Sequence, residues 1–565
     1  MAEQKTCKQC QKTFVVEDED LELLKKVSPS IAGRTFDLPL PTLCVECRMC
    51  RRLSWRNERT LYKRKCDLCQ KDIVALYHQN SRFKIYCQEC FWSDKWDQYE
   101  FAQEIDFNRS VLEQMKEIQA KQPRIALLNS RSENSEFANH ASRNKDCYLV
   151  FASFDNENVM FARRARNTTN SMEIDVSLKN CQYCYECLSV ENCYRVKYSN
   201  FCVDCSESYF LNECIGCKNC YRCSGLRNKQ YYFENKQLTK EEYEKALPDL
   251  GSGKIVDEEK KKFREFIKSV PQPYAHITNS ENCTGDEILN SKNCKFAFDI
   301  EHGENCKYFD NGENVVYAVD IYGVGFPGEY LYEVHGMLDG HYSAFCHASY
   351  YCSRSFFADN CQNCQDVFAC VGLKKAQYCI LNKQYSKEEY EKAVTKLIEK
   401  MTQEGEWGEF FPINMSPFGY NESVANEYFP ASKQEVEKLG ANWQVEDNTP
   451  PYTEDSYEPK DNIAEYKNSE AEQKKLLEGI IKCSVSGKPF KIVPRELAFY
   501  LENDIPITNK HFDIRHRERF RFRNPRKLYH RKCMNGDCPN EFETTYAPDR
   551  PEKIYCEKCY QKSVL

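Results

Sequence analysis

The chain has 565 residues, 34 of them cysteine, and a formal net charge of −7. That length predicts several domains. No apolar run approaches the ~18 residues a membrane span needs, and the start, Met1 to Cys7, carries no apolar leader, so a cytoplasmic chain without a membrane partner is expected, its cysteines being reduced thiols and metal ligands and not the disulfides of a small secreted fold.

The first element is a pair of close cysteine pairs, Cys7 and Cys10 with Cys44 and Cys47. Four soft thiolates spaced in this way satisfy tetrahedral zinc, because each pair closes a knuckle and the intervening chain sets the distance between pairs. Residues 1–60 are therefore read as a treble-clef-like zinc module. A zinc ribbon over 61–100 follows, with Cys66, Cys69, Cys87 and Cys90 as ligands, and 101–122 reads as a helical connector. Between Arg48 and Cys66 stand eight basic residues against Glu58 alone. If the second knuckle opens a helix, Arg48, Arg52 and Arg56 fall on one face at a spacing of four, with Arg59 and Lys63 continuing and Arg64 and Lys65 beside them.

Residues 123–404 contain one unit used twice at an offset of 147: Lys240 to Ala246 returns as Lys387 to Ala393, and Cys205, Cys214, Cys217 and Cys223 return as Cys352, Cys361, Cys364 and Cys370. Within a unit, Cys181, Cys193, Cys205 and Cys217 recur every twelve residues, preceded by Asn180, Asn192, Asp204 and Gly216. Short strands ending at residues that tolerate positive φ predict stacked rungs, hence a β-solenoid, with an antiparallel β meander as the alternative. A step of twelve suits either one tight coil or half of a longer one. Twenty cysteines lie in this region. Their regularity predicts a ladder of small buried side chains, with metal or iron–sulfur ligation by groups such as Cys214, Cys217, Cys220 and Cys223 as the competing reading. The units span 123–250 and 270–404. Each ends in a helix placed to cap the array; in the second copy Tyr390, Val394, Leu397, Ile398 and Met401 make one apolar stripe. Residues 251–269 read as a linker, and 405–480 as an acidic, flexible tether.

The C-terminal part repeats the N-terminal one. Residues 531–565 form a ribbon with Cys533, Cys538, Cys556 and Cys559, sharing Lys-Ile-Tyr-Cys with 84–87. Residues 481–530 form a degenerate module in which Cys483 keeps the place of Cys7, while Ser486, His511 and Ile514 replace Cys10, Cys44 and Cys47. No zinc is expected there; Cys483, His511 and His516 offer at most a poor three-ligand set. The basic ladder persists as Arg515, Arg519, Arg523 and Arg526, followed by Arg531 and Lys532. The two basic stretches carry +15 and leave about −22 on the rest of the chain.

The phrases Cys44-x-x-Cys47-Arg48, Arg56 to Cys69, Ser93 to Asp97, Ser416 to Glu422 and Tyr546 to Pro551 resemble a group of uncharacterised multi-zinc-ribbon proteins of uncultivated bacteria. The first quartet, with Phe14, Pro41 and Arg48, resembles the probable zinc-ribbon family of treble-clef type. The resemblance implies architecture and zinc, and no activity.

The expectation is a mainly β, multidomain protein in which zinc modules at both ends flank a duplicated cysteine-rich β-solenoid with capping helices. Three zinc ions are expected on the twelve cysteines of the three quartets. The function expected is non-catalytic binding of nucleic acid, with RNA or a ribosome preferred over DNA because Trp55, Tyr62, Phe520, Phe522 and Tyr529 interleave the charges. The competing readings are that these cations neutralise the thiolate sites, dock on the chain's own acids or form a solvated helix face. The alternative functions are a protein–protein interaction scaffold and a metal- or thiol-dependent enzyme using Glu333, His335, Asp339, His341, Cys346 and His347.

Overall fold

The computed structural model describes residues 2–308, 322–325, 335–338, 343–445, 456–536 and 538–564, with 322–325 and 335–338 described by backbone alone. In both solenoid units the backbone enters the left-handed region at nearly every third residue. Asn180, Tyr183, Glu186, Ser189 and Asn192 have φ of 48°, 52°, 48°, 48° and 50°. Four such corners close one coil, so twelve residues make a four-sided turn and not half of a longer one. The strands accordingly stack in parallel at an offset of twelve, as in Tyr148↔Met160, Tyr194↔Ser206 and Lys218↔Gln230. This register excludes the antiparallel meander. The same coil builds the second unit, with Ser353↔Gln365 and Gln365↔Gln377.

A left-handed residue other than glycine costs about 1 kcal/mol, and the stacking offsets it. Each coil adds parallel amide hydrogen bonds to the next, such as Gln182 N to Cys193 O at 2.9 Å and Arg195 N to Gln182 O at 3.0 Å, and sends every third side chain into a narrow interior. Cys181, Cys184, Cys187, Val190, Cys193 and Val196 follow one another there, each at most 1% exposed. The corridor admits only small side chains, and those with a donor use it in one way. Ser199 Oγ donates to Lys197 O at 2.8 Å, and Cys193 Sγ donates to Glu191 O at 3.3 Å. These cysteines are unpaired thiols packed as small hydrophobes.

One coil of the second unit is a residue short: Ile277 pairs with Ile288 at an offset of eleven. Gly285 closes it at φ +139°, where a Cβ would stand 1.7 Å from Ala297 O.

The two ends of each unit are closed differently. At the C-terminal end the last strand folds back as a hairpin, Gln230–Phe233 on Lys236–Gln237 and Gln377–Ile380 on Lys383–Gln384. A helix follows each, Lys240–Ala246 and Lys387–Glu404, opened by the capping boxes Thr239/Glu242 and Ser386/Glu389. Tyr390 lies on Tyr378 with ring centroids 5.8 Å apart. At the N-terminal end the closure comes from the ribbons. Ile85–Tyr86 pairs in parallel with Arg124–Ile125, and Lys553–Tyr555 with Pro271–Pro273.

Two segments are more ordered, in their described residues, than their composition suggests; the acidic stretch 446–455 lies outside those residues. Residues 251–269 are no linker; Gly253–Ser269 is a 17-residue helix that packs Val256 and Phe263 on the first unit. Within 405–480, Trp407, Phe410 and Phe411 join the core over the second unit, and Tyr466 and Leu476 that over the first. Among the described residues, no helix is long and apolar enough to cross a membrane.

Candidate metal centres and the buried arginine ladders

Among the described residues, three groups bring four metal-ligating atoms together: Cys7, Cys10, Cys44 and Cys47; Cys66, Cys69, Cys87 and Cys90; and Cys533, Cys538, Cys556 and Cys559, with the Sγ atoms of each within 4.8 Å of one another. Four sulfurs placed tetrahedrally at about 2.3 Å from a zinc ion lie about 3.8 Å apart. The closest cross-knuckle contacts match: Cys10 to Cys44 is 3.8 Å, Cys69 to Cys87 is 3.9 Å and Cys538 to Cys556 is 3.9 Å. The donor set therefore fits a four-thiolate metal ion at each site.

In every site a β-hairpin supplies the first knuckle and a helix start the second. Glu3–Thr6 with Thr13–Val16, Tyr62–Lys65 with Asp72–Ala75, and Tyr529–Lys532 with Glu541–Thr544 are the hairpins. The helices begin one residue after Cys44, Cys87 and Cys556. The same amide donates in each: Cys44 N to Cys7 Sγ, Cys87 N to Cys66 Sγ and Cys556 N to Cys533 Sγ, all at 3.3 Å. Such donors favour thiolate. Burial pushes the Cys66 thiol up, but the amides of Cys69, Cys87 and Leu68 outweigh it and bring it down to about 7.

In the degenerate module the three candidate ligands point apart. Cys483 Sγ accepts from Ser486 N at 3.5 Å, His511 Nδ1 caps its helix by accepting from Asp513 N, and His516 lies 3.3 Å from Asp175.

The arginine ladders are not exposed arms. Helix Val45–Leu53 ends before Arg56, and helix Phe512–Phe520 ends before Arg523, so only Arg48 and Arg52, and Arg515 and Arg519, sit on helices. Arg48, Arg52, Arg56, Arg515, Arg519 and Arg526 are between 2% and 6% exposed. Arg56 donates to Glu58 at 2.6 Å, and Arg163 of the first solenoid unit reaches the other oxygen of Glu58 at 3.0 Å. Arg59 meets Asp513 at 3.1 Å and Glu427 at 3.5 Å. Arg515 lies 2.7 Å from Glu173 and 3.2 Å from Glu496, and Arg519 pairs with the same Glu173. Arg523 joins Glu287, at 2.9 Å, and Asp299, while Arg526 meets Asp299 at 2.6 Å.

The expectation of eight guanidiniums held out toward backbone phosphates is thus corrected. Among the carboxylates that receive them, Glu173, Glu287 and Asp299 come from the solenoid, Glu496 from the degenerate module and Glu427 from 405–480, while Glu58 and Asp513 lie within the basic stretches themselves. The electrostatics agree. Burial raises Asp299, yet Arg523, Arg164 and Arg526 hold its carboxyl well below the usual range; burial and the cations around it, Arg59 first, keep His516 well below its ordinary value and neutral. Of the remaining cationic candidates, Lys63 and Lys65 are exposed, the latter 3.1 Å from Asp72. Arg64 meets Asp67 at 2.9 Å, Arg531 donates to Ala547 O at 3.1 Å, and exposed Lys532 lies 2.8 Å from Glu541.

The modules cross over. The N-terminal ribbon closes the first unit, whereas Trp55, beyond its neighbouring helix, stacks on Phe411 at 4.8 Å and meets His347 of the second unit at 5.1 Å. Helix Phe512–Phe520 lies instead on the first unit, through Glu173. The two units also meet directly, where His276 bridges Glu213 at 2.6 Å and Asp286 at 2.7 Å.

Of the catalytic candidates, Glu333, Asp339 and His341 lie outside the described residues, and His335 is known by its backbone, which pairs with His347. Cys346 is fully buried, its thiol donating to Ala344 O at 3.5 Å, and His347 Nδ1 lies 2.7 Å from Asp359, which Arg124 also pairs. Cys346 packs in the interior of the second unit, and His347 joins the buried contact that Asp359 makes with Arg124. Sequence reasoning missed the acidic half of the network, because Glu173, Asp299 and Glu496 belong to no motif that singles them out.

No protein-family model matches the chain, and no curated protein is found to be similar to it.

Proposed function

We propose that this protein is a non-catalytic binding scaffold whose three tetracysteine sites carry zinc as structural staples. Zinc suits four thiolates at closed, tetrahedral spacing, and it would supply cross-linking there, not chemistry. The observation that carries the reading is the pairing of each ribbon's last strand with the strand entering a solenoid unit. An open solenoid end exposes unpaired backbone and must be covered; here a metal-knit ribbon covers it. The buried ionic network then holds both zinc modules, and both units, in one arrangement. Support for a binding role is the long outer surface of stacked coils, along which charged side chains recur from coil to coil, as in Arg143 with Asp155 and Lys145 with Glu157.

Metal analysis of the full chain tests the reading. Three zinc per chain are expected, falling to two in Cys66→Ser together with earlier melting of the first unit. Iron colour, or five or more metals per chain, would overturn it.

A further inference from the structure

The ladder helix has a second face. In helix Phe512–Phe520, Arg515 and Arg519 point into the molecule, and Arg517, two residues on and about 200° around, points out. Arg521 follows one turn later. Both are exposed, and among the described residues neither side chain meets a carboxylate. Beside them runs helix Gly253–Ser269, whose Arg264 is exposed and lies 5.8 Å from the ring centroid of half-buried Phe522. Lys261, one turn earlier on that helix, is also exposed and without an acidic partner among the described residues. Of the nearby acids, Glu518 pairs with Lys510 at 2.9 Å, Glu265 with Lys268 at 2.7 Å and Glu186 with Lys260 at 2.6 Å, while Asp257 and Glu258 stand exposed one turn before Lys261.

We propose that Lys261, Arg264, Arg517 and Arg521, with Phe522 between them, bind single-stranded nucleic acid. The inference rests on the scaffold reading and names its partner. Four exposed cations that meet no carboxylate directly, on two segments joined by the Arg264–Phe522 contact, form a surface for repeated phosphates. Arg264, 5.8 Å from the Phe522 ring centroid, sets a guanidinium beside an aromatic ring, and each offers a flat face on which an unpaired base stacks. Arginine's planar fork suits phosphate oxygens, and the aromatic favours a nucleic acid over an acidic protein, which offers no base.

The test is fluorescence anisotropy of the zinc-loaded full chain with a labelled oligouridylate. Four phosphate contacts to a single strand give a slope of log affinity on log salt of about −2.8, or about 50-fold weakening from 50 to 200 mM salt. The double variant Arg517→Glu/Arg521→Glu is expected to lower affinity at least tenfold and flatten the slope, and Phe522→Ala to weaken oligouridylate about tenfold while sparing inorganic polyphosphate. Lys63→Glu should change either by less than twofold. Unchanged binding in the double variant, or equal binding of polyglutamate, overturns the proposal. Both variants leave zinc content and melting untouched if the scaffold reading holds, so failure here is distinct from failure there.

Discussion

Asp299 is the residue at which the buried network is most concentrated. It sits on the second unit at 2% side-chain exposure and receives Arg523, Arg526 and, from the first unit, Arg164 at 3.1 Å. Asp299→Asn keeps its shape and removes its charge, leaving guanidiniums buried without their carboxylate. Breaking a buried pair from one side costs about 3 to 5 kcal/mol. With an unfolding entropy of about 2.1 cal/mol/K per residue, a 565-residue chain melting as one unit would lose about 3 °C in Tm, and more if one half melts alone. Differential scanning calorimetry at 50 and 500 mM salt measures it, and the shift should persist at high salt because buried pairs are little screened. The pH dependence follows from the depressed carboxyl. Its stabilisation is full above the unfolded value near 4 and is lost as pH falls through the folded value, so wild type and variant should differ by a constant amount from pH 7 to 5 and converge only in stronger acid. A variant as stable as wild type, or a difference abolished by salt, would mean that these guanidiniums are solvated, and would refute the reasoning.

Cys193→Ser should leave zinc content unchanged and cost little stability, since Ser199 and Ser208 occupy equivalent interior positions, whereas Cys193→Leu should overpack the corridor at a cost of about 1 to 3 kcal/mol in denaturant titration. Burial opposes charge on His276, but Glu213 and Asp286 raise it well above its ordinary value. Its contribution is therefore full below about pH 6.5 and fades as pH rises toward the folded value; thermal melts of wild type should decline over that window, and those of His276→Gln should not.

Much of this architecture is legible in spacing. Covalent geometry ties two thiolates three to five apart into a knuckle, so the quartets Cys66/Cys69/Cys87/Cys90 and Cys533/Cys538/Cys556/Cys559 declare themselves locally. The twelve-residue step likewise appears in Cys181, Cys193, Cys205 and Cys217. The finer period of three does not, because the corners accept Tyr183, Glu186 and Ser189 as well as Asn180; stacking, not side-chain type, enforces their left-handed backbone. The arginine ladder was visible and its direction was not. Whether Arg519 faces solvent or Glu173 depends on which face of the solenoid the helix meets, a contact 346 residues away along the chain. The exposed pair Arg517 and Arg521 was hidden in the same basic run for the same reason.

On the proposed reading metal-bound ribbons close the solenoid, and hydrogen exchange with and without a zinc chelator measures that closure. Amides of Arg124 to Leu128 and of Gln272 and Tyr274 to Ile277 should lose protection when metal is withdrawn, while those of Cys181 to Cys223 exchange later. Full protection of both entry strands in metal-free protein would contradict the account.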